Sequence, residues 1–131
     1  MSPIGFADSA NYKQGSLKMN LILWMTSWFS ARGKAISLYR RGMAKAKLRD
    51  YPGAVDFYSQ TIALTATPAD VRGMALYNRA LVYSALGDGA KATDDLNQVL
   101  AVAETPANIK TEAKRKLARM RRHAGDAPAH A

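Results

Sequence analysis

The chain has 131 residues, room for one domain, and 48% of them are apolar, which is enough for a real core. It has no cysteine, which excludes a disulfide framework and thiolate chemistry and suits a reducing, cytoplasmic setting. The formal charge of +9 is concentrated at the two ends, basic in 32–49 and 107–131, while the middle, 50–105, holds seven acids against Arg72, Arg79 and Lys91; this points to an acidic partner or to self-association between unlike surfaces.

Residues 1–18 are polar and rich in Gly and Ser, and read as disordered. Residues 19–29, Met-Asn-Leu-Ile-Leu-Trp-Met-Thr-Ser-Trp-Phe, are strongly apolar. These 11 residues fall well short of the roughly 20 that span a bilayer, so no transmembrane segment is expected. A secretion signal would need small residues where Trp28 and Phe29 stand. Three roles remain open for Leu21, Trp24, Trp28 and Phe29: a short helix covering the end of the following domain, a segment that lies in a groove of that domain or pairs with a second copy as a homodimer contact, or a dip into a membrane surface helped by Lys18, Arg32 and Lys34.

From residue 30 onward the chain echoes itself at a period of 38 residues. Leu38-Tyr39 returns as Leu76-Tyr77, Arg41 as Arg79, and Leu48 and Asp50 as Leu86 and Asp88. Ala54, Asp56, Gln60 and Ala63 return as Ala92, Asp94, Gln98 and Ala101, and Thr67-Pro68-Ala69 as Thr105-Pro106-Ala107. A period of this size means stacked supersecondary units, here 30–67, 68–105 and a terminal helix over 106–123. Each full unit reads as two helices. Thr67 and Thr105 are placed as N-caps, each with proline at the first helical position. Val71, Ala75, Leu76, Ala80, Val82, Tyr83 and Leu86 run at helical spacing up to a break at Leu86-Gly87-Asp88-Gly89, with Gly87 fit for a left-handed C-cap. In the first unit the break is Leu48-Arg49-Asp50-Tyr51-Pro52-Gly53. Ile109, Ala113, Leu117, Ala118 and Met120 carry the apolar stripe of the terminal helix, and residues 125–131 read as a disordered tail. The fold class expected is all-α: five repeat helices plus a short apolar helix at 19–29.

This pattern resembles the tetratricopeptide repeat family. Unit one supplies Leu38, Arg41-Gly42, Lys45, Ala54, Tyr58, Thr61 and Pro68; unit two supplies Leu76, Arg79-Ala80, Tyr83, Ala92, Leu96, Val99 and Pro106. The departures are Arg for Leu at 41 and 79, Lys45 for an aromatic, and a period of 38 where the family norm is about 34. The resemblance implies stacked antiparallel helix pairs in a short right-handed solenoid. Gly42, Ala80, Ala54 and Ala92 would stand at close helix crossings, and a concave wall would be lined by the first helix of each unit. One subclass of the family grips a terminal carboxylate; Asn78 matches its middle position, whereas Tyr39 and Met43 do not match.

By that register the wall takes Ile36, Tyr39, Arg40, Met43 and Lys47 from the first unit, Met74, Tyr77, Asn78, Leu81 and Ser84 from the second, and Arg115, Lys116, Arg119 and Arg122 from the terminal helix. An aromatic and Met floor with a basic end suits a peptide bearing acidic groups, bound by bidentate arginine contacts. The alternative for Tyr39 and Tyr77 is half-buried packing, and for the terminal arginines a solvated face. The leading functional expectation is a protein–protein interaction module, an adaptor or scaffold. A nucleic-acid or polyanion binder and a self-associating structural protein are the alternatives, although the aromatics do not interleave with the basic residues as a single-strand platform would require. No catalytic residues, metal ligands or cofactors are assigned. There is no nucleophile–base pair and no phosphate loop, His123 and His130 lack a third ligand, and Asp94-Asp95 diverge as neighbours on a helix.

Overall fold

The computed structural model describes the backbone of residues 4–126 and the side chains of 18–126. Five helices follow one another with no strand among the described residues: α1 (Ile4–Lys47), α2 (Tyr51–Ala63), α3 (Ala69–Ala85), α4 (Gly89–Ala101) and α5 (Ala107–Asp126). Each helix packs on the next, and α3 also touches both α1 and α5.

The amino-terminal half of α1 departs from expectation. The polar segment, the apolar segment and the first repeat helix were expected to be separate; the backbone is one helix from Ile4 through Lys47. Low apolar content does not by itself break a helix, and no proline falls between Pro3 and Pro52. Of the segments expected to be disordered, residues 1–3 and 127–131 lie outside the described residues.

The two helix–helix turns that close the hairpins use the same hydrogen bonds, 38 residues apart. After α1 the Arg49 amide donates to the Ala46 carbonyl (3.0 Å) and the Asp50 amide to the Lys45 carbonyl (2.9 Å). After α3 the Gly87 amide donates to Ser84 (3.1 Å) and the Asp88 amide to Tyr83 (2.9 Å). This is the Schellman arrangement, which needs a left-handed residue at its corner. Gly87 supplies it at φ 82°, and Arg49 takes the same role at φ 60° despite its side chain. Asp50 and Asp88 then cap the next helix, each accepting from the amide three residues on, Gly53 and Lys91, at 3.1 Å.

The links between hairpins also match, and they correct the expected caps. Thr67 is not the N-cap of α3: that position falls to Pro68, with no side-chain cap bond. The Thr67 hydroxyl instead donates back to the Thr61 carbonyl at 2.6 Å, and the Thr105 hydroxyl donates to Val99 at 3.1 Å. Both threonines are buried, so satisfying the last-turn carbonyl of the preceding helix outweighs capping the following one. The Arg72 guanidinium closes the end of α2 by donating to the carbonyls of Ile62, Leu64 and Thr67, and the Lys110 ammonium donates to Ala103 after α4. Cations at these helix ends also complement the negative end of the dipole.

The core has two parts. Leu76, Ala80, Leu96, Val99, Ala113 and Leu117 join α3, α4 and α5. Ala54, Tyr58 and Val82, flanked by Tyr39 and Tyr51, join α1, α2 and α3. Gly42 lets α1 approach α2: a Cβ there would lie 2.5 Å from the Tyr58 ring. Ala80, Ala54 and Ala92 are buried at the other small-residue positions.

Candidate interaction face

Helix α3 lies between α1 and α5, and the residues expected to line the wall come from these three helices. Their geometry is tied by one hydrogen bond across α1 and α3: the Asn78 side-chain amide donates to the Tyr39 hydroxyl at 2.6 Å. The Tyr39 ring leans on Tyr58 with ring centres 6.0 Å apart. Burial pushes the Tyr39 hydroxyl above its ordinary range, partly opposed by the Asn78 hydrogen bond. Tyr39 is therefore half-buried with an ordered polar tip, and Asn78 is held by it.

One turn beyond this pair, Met43 on α1 and Leu81 on α3 are exposed apolar side chains, at 40% and 37%. Met74 and Tyr77 are half-buried, and Tyr77 packs against the α3–α4–α5 core. The Tyr77 hydroxyl is raised by burial and by the Glu112 carboxylate, while Arg119 acts in the opposite direction, which brings α5 charges of both signs to this tyrosine.

The basic end is less uniform than the sequence suggested. Arg115 donates to the Glu112 carboxylate at 2.6 Å, so one of the four cations assigned to α5 is already paired. The sequence shows Glu112 as one of two acids in the basic run 107–131, and its position one turn before Arg115 was the unused signal of the pair. Lys116, Arg119 and Arg122 form no salt bridge among the described residues, and neither do Arg40 and Lys47 on α1. Arg40 and Ile36 line a shallow depression along α1 with Gly33, Ser37, Arg41 and Ala44, apart from the Tyr39–Asn78 pair.

The apolar segment does not cover the domain. Leu21, Trp24, Trp28 and Phe29 are 59%, 66%, 53% and 59% exposed, and every residue from Lys18 to Ser30 is exposed. The expected cover fails because the segment continues α1 as uninterrupted helix, with no turn to fold it back on the other helices. The Trp28 and Phe29 rings meet edge to face, with centres 5.1 Å apart. No helix among the described residues is long and apolar enough to cross a membrane.

Sequence reasoning missed a strong polar network centred on Arg79. Arg79, at a position where the resembling family has Leu, donates to both carboxylate oxygens of Asp95 at 2.8 and 2.7 Å and to the Ser59 hydroxyl at 2.9 Å. Asp95 is thus buried and engaged, whereas Asp94 is exposed. Among the described residues no group of three or more His, Cys, Asp or Glu could hold a metal ion; His123 is exposed, and His130 lies outside the described residues. Comparison of the chain with protein-family models, curated proteins and solved structures finds no match.

Proposed function

We propose that the chain is a protein-interaction module of tetratricopeptide type whose α1–α3–α5 face takes an extended acidic segment of another protein. The paired hydrogen bonds 38 residues apart support the repeat reading, because local structure recurs where the sequence recurs. The observation that carries the functional reading is the Asn78–Tyr39 bond. It fixes α1 against α3 and sets Met43 and Leu81, exposed and apolar, on either side of that junction. Lys47 on α1 and Lys116, Arg119 and Arg122 on α5, with no salt bridges of their own among the described residues, supply charge for carboxylates. Ordered apolar anchors with a charged rim are the usual composition of a peptide-binding surface.

The test is affinity capture from the native host with the wild-type chain and with a Met43→Glu/Leu81→Glu variant. Met43 and Leu81 are 40% and 37% exposed, and circular dichroism checks that the variant keeps its helices. The reading expects partners that bind wild type and are lost with the variant. Recovery of the same proteins by both would contradict it.

A further inference from the structure

We infer that the exposed stretch of α1 from Met19 to Phe29 is a docking surface for an anionic lipid bilayer, on which the helix lies in the plane of the headgroups. This does not rest on the reading of the α1–α3–α5 face and concerns a different part of the chain.

At 100° per residue, Leu21, Ile22, Trp24, Met25, Trp28 and Phe29 share one side of the helix; the other side is mixed, with Asn20, Ser27 and Ser30 beside Met19 and Leu23. At one edge of the apolar side the Thr26 hydroxyl donates back to the carbonyls of Ile22 and Leu23 at 3.0 Å, so it requires no water, and Asn20 stands at the other edge. The apolar stretch is about 16 Å long, half the hydrocarbon thickness, which fits a helix lying in the interface and not one crossing it. Two tryptophans on the buried side are suited to headgroup depth, where a ring can be apolar on its body and hydrogen-bonded at its N–H.

Charge decides between a bilayer and a second copy of the chain. Lys18 and Arg32 fall on the same side as Trp24 and Trp28, one at each end of the patch, about 21 Å apart along the axis. No acidic residue occurs between Asp8 and Asp50. Two copies packed through this face would meet Lys18 against Arg32 if antiparallel, or each cation against its own counterpart if parallel, with no carboxylate to compensate. An anionic headgroup layer satisfies both cations while the patch between them leaves water.

Trp24 and Trp28 are the only tryptophans, so intrinsic fluorescence reports on this patch directly. The experiment titrates the full chain with phosphatidylcholine vesicles, with or without one third phosphatidylglycerol, and follows emission and co-sedimentation. The expected result is a blue shift with anionic vesicles, binding roughly tenfold weaker on neutral ones, and loss of binding at high salt. Leu21→Ser/Phe29→Ser should abolish the shift while keeping both tryptophans, and Lys18→Gln/Arg32→Gln should bring anionic binding to the neutral level. Circular dichroism confirms that the variants remain helical. No shift with anionic vesicles, or equal binding to both vesicle types, would overturn the inference. So would emission already blue-shifted in buffer with a dimer mass by light scattering, since a second copy would then be the occupant.

Discussion

Arg79 and Asp95 form a two-pronged ion pair that joins α3 to α4, and the same guanidinium reaches Ser59 on α2. The Asp95 side chain is 3% exposed and that of Arg79 is 17% exposed. The hydrogen bonds that Arg79 donates to Asp95 raise its pKa despite burial, so the guanidinium stays charged throughout the accessible pH range.

The unequal burial of the partners makes their deletions unequal. Arg79→Leu strands a carboxylate that cannot reach water and should cost about 3–4 kcal/mol. Asp95→Leu leaves a guanidinium that can turn toward solvent and should cost less, about 2 kcal/mol. The double variant should return to within about 1 kcal/mol of wild type, because apolar side chains of similar volume replace a desolvated pair. Urea unfolding of all four proteins closes the cycle and measures each value.

The matching turns predict opposite effects of opposite substitutions. Arg49 adopts a left-handed backbone that disfavours a side chain, so Arg49→Gly should stabilise the chain by about 1 kcal/mol. Gly87→Ala should destabilise it by about 1 kcal/mol through backbone strain alone, because a Cβ there meets nothing within 4 Å. Thermal unfolding of the two variants reads both signs.

Tyr58 should ionise well above the ordinary tyrosine range. Its burial, with the neighbouring Tyr39 second, pushes its pKa from the ordinary 10.0 up to about 12. The folded state therefore holds the neutral phenol more tightly than the unfolded state does. That contribution is fully present below pH 10 and is lost as pH rises through about 12. A tyrosinate absorbance titration should show a component near pH 12 that Tyr58→Phe removes.

The helical class and the positions of the hairpin turns were legible because period and turn chemistry are local: Gly87 announces its left-handed corner, whereas the capping by Asp50 and Asp88 went unread although both stand in the breaks. The Thr67 and Thr105 roles were misread because a threonine before proline looks like a cap until burial shows a nearer carbonyl in need of a donor. The Arg79–Asp95 pair was illegible because it joins residues 16 apart on different helices. The wall residues could be named from the repeat register, but the pairing of Arg115 with Glu112 and the bond from Asn78 to Tyr39 depend on side-chain geometry that a register does not contain. Composition also suggested a break before the apolar segment, where α1 runs without interruption.

The central claim is that the junction of α1 and α3 is the binding surface, and calorimetric titration tests it most directly. An acidic segment from a captured partner is titrated into wild type and into Met43→Glu/Leu81→Glu. The account predicts an affinity at least about tenfold weaker for the variant, with its unfolding temperature unchanged. Equal affinity for the two proteins would contradict it.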